Sequence, residues 1–191
     1  MDDLSKERVA SLLRAAAAGD EDAWRALVKE YSPRVFGLLR ARCRDVNLAE
    51  EITQSVFVTI AEKLRDYDEE GRFDSWLFQI ALNRLRDEMR RRARHAMPVE
   101  HEALESLAGA AEAADGGYRT IPPAQRAALE HALASLNDAD RQIIDMRFIA
   151  ELSFATIAAM TDEPIGTLLA RHHRALAKLR KLLERNSKQE F

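Results

Sequence analysis

The sequence predicts an all-α protein built as two small helical domains joined by a flexible linker. Only seven Gly and five Pro punctuate 191 residues in which Ala, Leu, Arg and Glu abound, and no segment alternates apolar and polar residues as a strand would. Apolar residues recur instead at steps of three and four. The stretch 96–122, AMPVEHEALESLAGAAEAADGGYRTIP, is rich in Ala, Gly and acid and lacks a sustained apolar stripe, so it reads as a linker with at most one short helix. At 47% hydrophobic content, a chain of this length fills one sizeable core or two small ones, and the linker selects two: 1–95 and 123–191.

Within 1–95, GDEDAWRALVKEY offers Asp20 as an N-cap, and SPRVFGLLRARC restarts with Ser32 as cap and Pro33 in the first turn. Asn47 then caps LAEEITQSVFVTIAEKLRDY, where Ile52, Val56, Ile60 and Leu64 recur every four residues. DEEGRF breaks that helix, and Asp74 or Ser75 caps the next, whose apolar face is Leu77, Ile80, Ala81, Leu85 and Met89. Within 123–191, PPAQRAALEHALASL starts with prolines, Asn137 caps NDADRQIIDMRFIA, and Ser153 caps the two-turn SFATIAAM. After the short break TDEP, the last helix carries Leu168, His172, Ala175, Leu179 and Leu182 on one side. A short helix, a tight turn and a long basic helix meet the template of a helix-turn-helix.

Composition excludes several classes. A single Cys43 rules out a disulfide framework, and no run of about 18 apolar residues exists to span a bilayer. The N-terminus MDDLSKERVA is acidic and mixed, unlike a signal peptide, so a cytoplasmic location is expected. No Ser/His/Asp set, Gly-rich phosphate loop or carboxylate pair supports catalysis, so the expected protein is not an enzyme and needs no cofactor. His172 and His173 are adjacent and point about 100° apart on a helix, and His95, His101 and His131 are scattered, so no metal is expected. Cys43 lies among arginines that would lower a thiol pKa, with a buried or inert cysteine the plainer reading.

The formal net charge of −3 places any nucleic-acid site in local charge patterning. Residues 84–94 carry Arg84, Arg86, Arg90, Arg91, Arg92 and Arg94 against Asp87 and Glu88, and residues 165–188 carry seven Lys or Arg against Glu184. On the first basic helix Gln79, Asn83, Arg86, Arg90 and Arg94 form one stripe opposite the leucines. Amides and guanidiniums read base edges and neutralise phosphates, and Phe73 and Trp76 just upstream offer aromatic surface for an unstacked base. The alternative is two core aromatics followed by a solvated helix end. On the second basic helix Thr167, Arg171, Arg174, Lys178 and Lys181 share a face, as a major-groove helix requires; the alternative is a basic amphipathic helix for solubility or protein binding.

AEEITQSVFVTIAEKLRDYDEEGRFDSWLFQIALNRLRDEMRRR resembles region 2 of bacterial sigma-70-family RNA polymerase sigma factors, and LASLNDADRQIIDMRFIAELSFATIAAMTDEPIGTLLARHHRALAKLRKLL resembles their region 4. Their order and the intervening linker are similar to the short extracytoplasmic-function (ECF) group. The resemblance implies a factor that binds core RNA polymerase, through the β′ clamp and the β flap, and directs promoter recognition and melting. It implies that Glu51, Gln54 and Phe57 face the clamp, although on the residues themselves Phe57 fits the core equally well. It implies that Phe73 and Trp76 shape the mouth of the site that captures the non-template strand of the minus-ten element, with Gln79, Asn83, Arg86 and Arg90 along the strand. It implies that Thr167, Arg171, Arg174 and Lys178 read the minus-thirty-five element as duplex. Relatives often have an anti-sigma partner. Ala155 and Thr156 stand where acidic residues are common, Leu169 where a basic residue is common, and His172 where a buried leucine is usual. Two other readings stay open on the residues: a stand-alone helix-turn-helix regulator whose N-terminal bundle senses or dimerises, and a sigma-like domain that binds only protein.

Overall fold

The computed structural model describes residues 3–68, 71–95 and 122–187, and the secondary structure among them is helical. In chain order the helices are α1 (Asp3–Ala17), α2 (Glu21–Cys43), α3 (Val46–Lys63, with a 3-10 turn at Leu64–Asp66), α4 (Phe73–His95), α5 (Pro123–Ala134), α6 (Asp138–Phe148), α7 (Phe154–Thr161) and α8 (Ile165–Ser187). The segment expected to be a linker lies, apart from Pro122, outside the described residues. No helix among the described residues is long and apolar enough to cross a membrane.

The first bundle forms because α2, α3 and α4 each carry one apolar stripe that only the others can cover. Leu27, Tyr31, Val35, Leu38 and Leu39 of α2 meet Leu48, Ile52, Val56 and Ile60 of α3, and Leu77, Phe78, Ala81 and Leu85 of α4 close the core. Met89, expected on the same face of α4, is past the edge of this core and exposed. Helix α1, which the sequence reading did not identify, covers the bundle with Val9 and Leu13. The second bundle wraps α5, α6 and α7 around Leu168, Ala175 and Leu179 of α8.

Side-chain caps set the starts of α2, α3, α6 and α7. Asp20 accepts from the amides of Asp22 and Ala23, Asn137 from Asp140 and Ser153 from Thr156, as anticipated. Three expectations fail. Neither Asp74 nor Ser75 caps α4, because the helix already begins at Phe73 and both lie inside its first turn. Ser32 and Pro33 do not start a helix, because α2 runs unbroken through them. The apolar stripe is continuous across the proline, and Pro33 and Lys29 are both exposed, so water can take the hydrogen bond the proline cannot make. Helix α3 is capped by Asp45, which accepts from the Leu48 amide at 3.0 Å, and Asn47 lies inside the first turn. The chain reverses just before this cap, through a left-handed Arg44 at φ 57°.

Candidate nucleic-acid and polymerase interfaces

Helix α4 sorts its arginines by partner. Arg91 and Arg92 fork onto Glu88 at 2.7–3.0 Å, and Arg92 also reaches Asp45 at 2.9 Å across to α3. These hydrogen bonds pull the Glu88 carboxyl down to about 2, and they neutralise one flank of the helix. Arg84 is half-buried and donates to the hydroxyls of Ser55 and Thr59, fastening α4 to α3. Gln79, Asn83, Arg86, Arg90 and Arg94 are all exposed, on the stripe the sequence predicted. Arg86 donates to the Asn83 side-chain oxygen at 3.0 Å, which orients the amide so that its NH2 faces away from the arginine.

At the start of α4 the two aromatics separate. Phe73 is 3% exposed and packs edge-on against Tyr31 with centroids 5.1 Å apart, so the expectation that its ring is offered to a base is corrected: it is core. Trp76 is half-buried and stacks on Tyr67 at 4.4 Å and 14°. Tyr67 and Trp76, with Arg72, Ser75 and Gln79, line an open cleft of about 440 Å³ at the head of the polar stripe. Behind it lies a polar anchor. Asp74 is 9% exposed; it accepts from the Tyr31 hydroxyl at 2.9 Å and from Arg34 at 3.3 Å. Sequence reading missed Tyr67, Tyr31, Arg34 and the anchoring role of Asp74. The spacing of Tyr67 from Trp76 crosses the DEEGRF break, where helical periodicity gives no register, and only the aromatic itself was a signal.

On α3, Glu51 and Gln54 are exposed, whereas Phe57 is 9% exposed and meets Trp24 edge-on at 6.3 Å. Phe57 is therefore core, the second of its two readings, which corrects the clamp-facing place that the resemblance implies. The exposed apolar residue on the face of Glu51 and Gln54 is Val58, at 59% exposure and four residues beyond Gln54.

On α8, Thr167, Arg174, Lys178 and Lys181 are exposed. Arg171 is half-buried and grips Glu163 with both terminal nitrogens, at 2.9 and 2.6 Å, across the turn between α7 and α8. Its planar fork matches a carboxylate, and the pair holds the Glu163 carboxyl below its usual range. In this conformation Arg171 positions the helix start and is not offered to a groove. Lys178 donates to the Ser135 carbonyl at 2.7 Å. His172 stacks on Phe148 at 5.8 Å and meets Phe154 edge-on at 5.3 Å, with its Nε2 buried and unpartnered. Of the departures on this domain, Leu169 and Ala155 are exposed, and Thr156 shares a hydrogen bond with Ser153. No group of three or more His, Cys, Asp or Glu able to hold a metal occurs among the described residues. Burial pushes the Cys43 thiol up and outweighs the lowering by nearby Arg92, in line with the inert reading of this cysteine.

The arrangement has counterparts. Sigma-70 region 2 matches residues 27–95, and Sigma-70, region 4 matches residues 132–181. The RNA polymerase sigma factor CarQ of Myxococcus xanthus is 32% identical over 165 residues, covering 86% of this chain and 91% of that protein. The ECF RNA polymerase sigma factor RpoE of Cereibacter sphaeroides is 30% identical over 162 residues, covering 84% of this chain and 86% of that one. Among solved structures, CnrH in complex with the cytosolic domain of CnrY has a TM-score of 0.63 at 25% identity, over 94% of this chain and 97% of that chain. The sigma factor RpoE in complex with the anti-sigma factor NepR from Bartonella quintana shares the fold, at a TM-score of 0.59 and 21% identity over 84% of this chain and 96% of that one. Both regions are matched in their expected order, and these relatives align over most of their length: the chain belongs to the sigma-70 family of RNA polymerase sigma factors, in its ECF group.

Proposed function

We propose that residues 1–95 dock on core RNA polymerase through the outer face of α3 and capture the melted non-template strand of the minus-ten element along α4. Residues 123–191 read the minus-thirty-five duplex with α8, and 96–122 tether the two. The protein does no chemistry itself; it supplies binding energy and position. An anti-sigma factor is a further partner, supported by the two solved relatives whose structures were determined with such regulators or with the domain of another protein.

One observation carries the strand-capture reading: a stacked Tyr67–Trp76 pair opens directly onto an exposed stripe of amides and guanidiniums. An unpaired base needs a stacking surface and a hydrogen-bonding group, and the displaced backbone needs cations, in that order along the strand. A duplex reader gains little from the aromatic cleft. Asn83→Ala and Arg86→Ala should therefore impair open-complex formation more than closed binding. A template with a pre-melted minus-ten bubble should rescue the part of the defect that lies in opening, and loss of base recognition should persist on it. Wild-type opening rates on a linear promoter for both variants, followed by permanganate reactivity of unpaired thymines, would remove α4 from strand capture.

A further inference from the structure

The second bundle rests on the face that the proposed function assigns to the melted strand. Met146 of α6, Met160 of α7 and Glu163 form one wall of a groove of about 400 Å³, and Gln79, Asn83 and Arg86 of α4 form the other. Ala159 of α7 borders the Tyr67–Trp76 cleft. The buried residues of the two bundles form one continuous cluster.

Two contacts on α2 hold this arrangement. Arg34, whose side chain is 12% exposed, donates through Nε at 3.0 Å and through a terminal nitrogen at 2.7 Å to the Ala150 carbonyl, just beyond the end of α6. A guanidinium there satisfies a carbonyl at the negative end of the helix dipole. Asp74 holds the same guanidinium from the other side, so the group that anchors the start of α4 also grips the second bundle. One turn along α2, Gly37 lies against the second bundle: a Cβ built on it would sit 2.7 Å from Cγ2 of Ile149. Glycine inside a helix is unfavourable relative to alanine, and here the absent side chain is what admits Ile149.

We propose that the strand-reading face of α4 is also the docking surface for the helix-turn-helix domain of the same chain, so that domain closure and capture of a single strand exclude one another. The proposal rests on the strand-capture reading of α4. A strand entering the cleft must displace α7, so the free protein binds single strands with an affinity reduced by the fraction that is open. Arg34 and Gly37 are positioning residues for this closure and touch neither strand nor polymerase in the assignment above.

Gly37→Glu and Ile149→Glu attack the contact from its two sides. Apart from its chain neighbours and the backbone of its own helix, Gly37 has no atom but Ile149 Cγ2 within 4 Å of the built Cβ, so a side chain added there first meets the second bundle. The full-length variants are compared with wild type by small-angle X-ray scattering and by anisotropy of a fluorescent oligothymidylate, with circular dichroism to check helical content. The expected result is a larger radius of gyration for both variants and binding about tenfold tighter than wild type. Asn83→Ala added to Gly37→Glu should abolish most of that gain. A wild-type radius already equal to that of both variants overturns the closure and leaves the strand reading to the open-complex assay. Expansion without tighter binding, or a gain that survives Asn83→Ala, overturns the competition because the strand then binds elsewhere.

Discussion

Tyr31→Phe tests whether the anchor behind α4 is energetically real. Tyr31 is 1% exposed, and its hydroxyl donates at 2.9 Å to a carboxylate that is itself 9% exposed. Burial, reinforced by the charge of Asp74, pushes the phenol far above its ordinary value, so it remains a donor throughout the usable pH range. A hydrogen bond to a charged group contributes about 1.5–3 kcal/mol net. Phenylalanine removes it with little change of shape, leaving Asp74 held on its other oxygen by Arg34 at 3.3 Å. The expected loss is therefore about 2 kcal/mol, read as a lower urea midpoint at unchanged slope. If the first bundle melts alone, that loss lowers its Tm by roughly 8–16 °C; if both bundles melt as one unit, by roughly 4–8 °C. Asp74→Asn should cost more, because it leaves Arg34 half-buried without its carboxylate, and the double variant should fall short of additivity. A change under about 0.5 kcal/mol for Tyr31→Phe would refute the anchor, since it would mean the carboxylate finds another partner without loss.

Other consequences follow from the same sorting of buried and exposed groups. Arg84→Ala should destabilise by about 1–2 kcal/mol in urea titration, because it strands the packing of α4 on α3, whereas exposed Arg90→Ala should stay within about 0.5 kcal/mol. Glu51→Lys combined with Gln54→Ala should weaken association with core polymerase by about tenfold at unchanged helical content, and unchanged affinity in a titration would take α3 out of the interface. His172 is held below its ordinary 6.5, first by burial and then by the charges of Arg147 and His173. The unfolded chain then takes up a proton near 6.5 that the folded domain refuses, so stability is full above that pH and is lost as pH falls from 6.5 to the folded value. His172→Leu should abolish this slope and, by removing an unpartnered buried nitrogen, stabilise the domain by about 1 kcal/mol.

What the sequence made legible was whatever repeats along a helix. The four-residue steps of Ile52, Val56, Ile60 and Leu64 all became core, and the stripe from Gln79 to Arg94 all became surface. Caps were readable where an acceptor side chain preceded an unambiguous apolar run, as at Asp20, Asn137 and Ser153. They were misread where two candidates lay close together, as with Asp45 and Asn47, because only one backbone geometry lets a side chain reach the third amide. Pro33 was over-read for the opposite reason: a local signal for a helix start lost to tertiary burial on both sides of it. Phe57, Phe73 and Arg171 belong to a third kind. Each lies at the edge of its polar face, where a rotation of a few tens of degrees separates surface from core, and only the neighbouring helix decides. For Phe57 the deciding neighbour is Trp24, for Phe73 it is Tyr31, and for Arg171 it is Glu163, all distant enough in sequence that no periodicity connects them.

The two basic helices were equivalent as text, and their partners make them different. On α4 Glu88, with Asp45 at the cap of α3, is spent on Arg91 and Arg92, while Arg90 and Arg94 on the polar stripe have no ion-pair partner among the described residues. The uncompensated charge therefore begins only after two turns of neutral amides, Gln79 and Asn83, that follow the aromatic cleft. A strand laid along this face would meet a stacking surface, then hydrogen-bonding groups able to distinguish bases, then cations able to hold a backbone but not to read it. On α8 the cations likewise come late: the arginine nearest the helix start is neutralised by Glu163, and exposed cations begin at Arg174. That leaves Ile165, Gly166, Thr167, Leu169 and Ala170 as the exposed groups near the N-terminus of the helix, small or apolar residues suited to close approach and to thymine methyl groups, with charge held back for phosphates. Basic composition thus marks both helices as candidates, but the proposed division between single-strand capture and duplex reading rests on what precedes the exposed cations: an aromatic cleft and amides on α4, small or apolar side chains on α8.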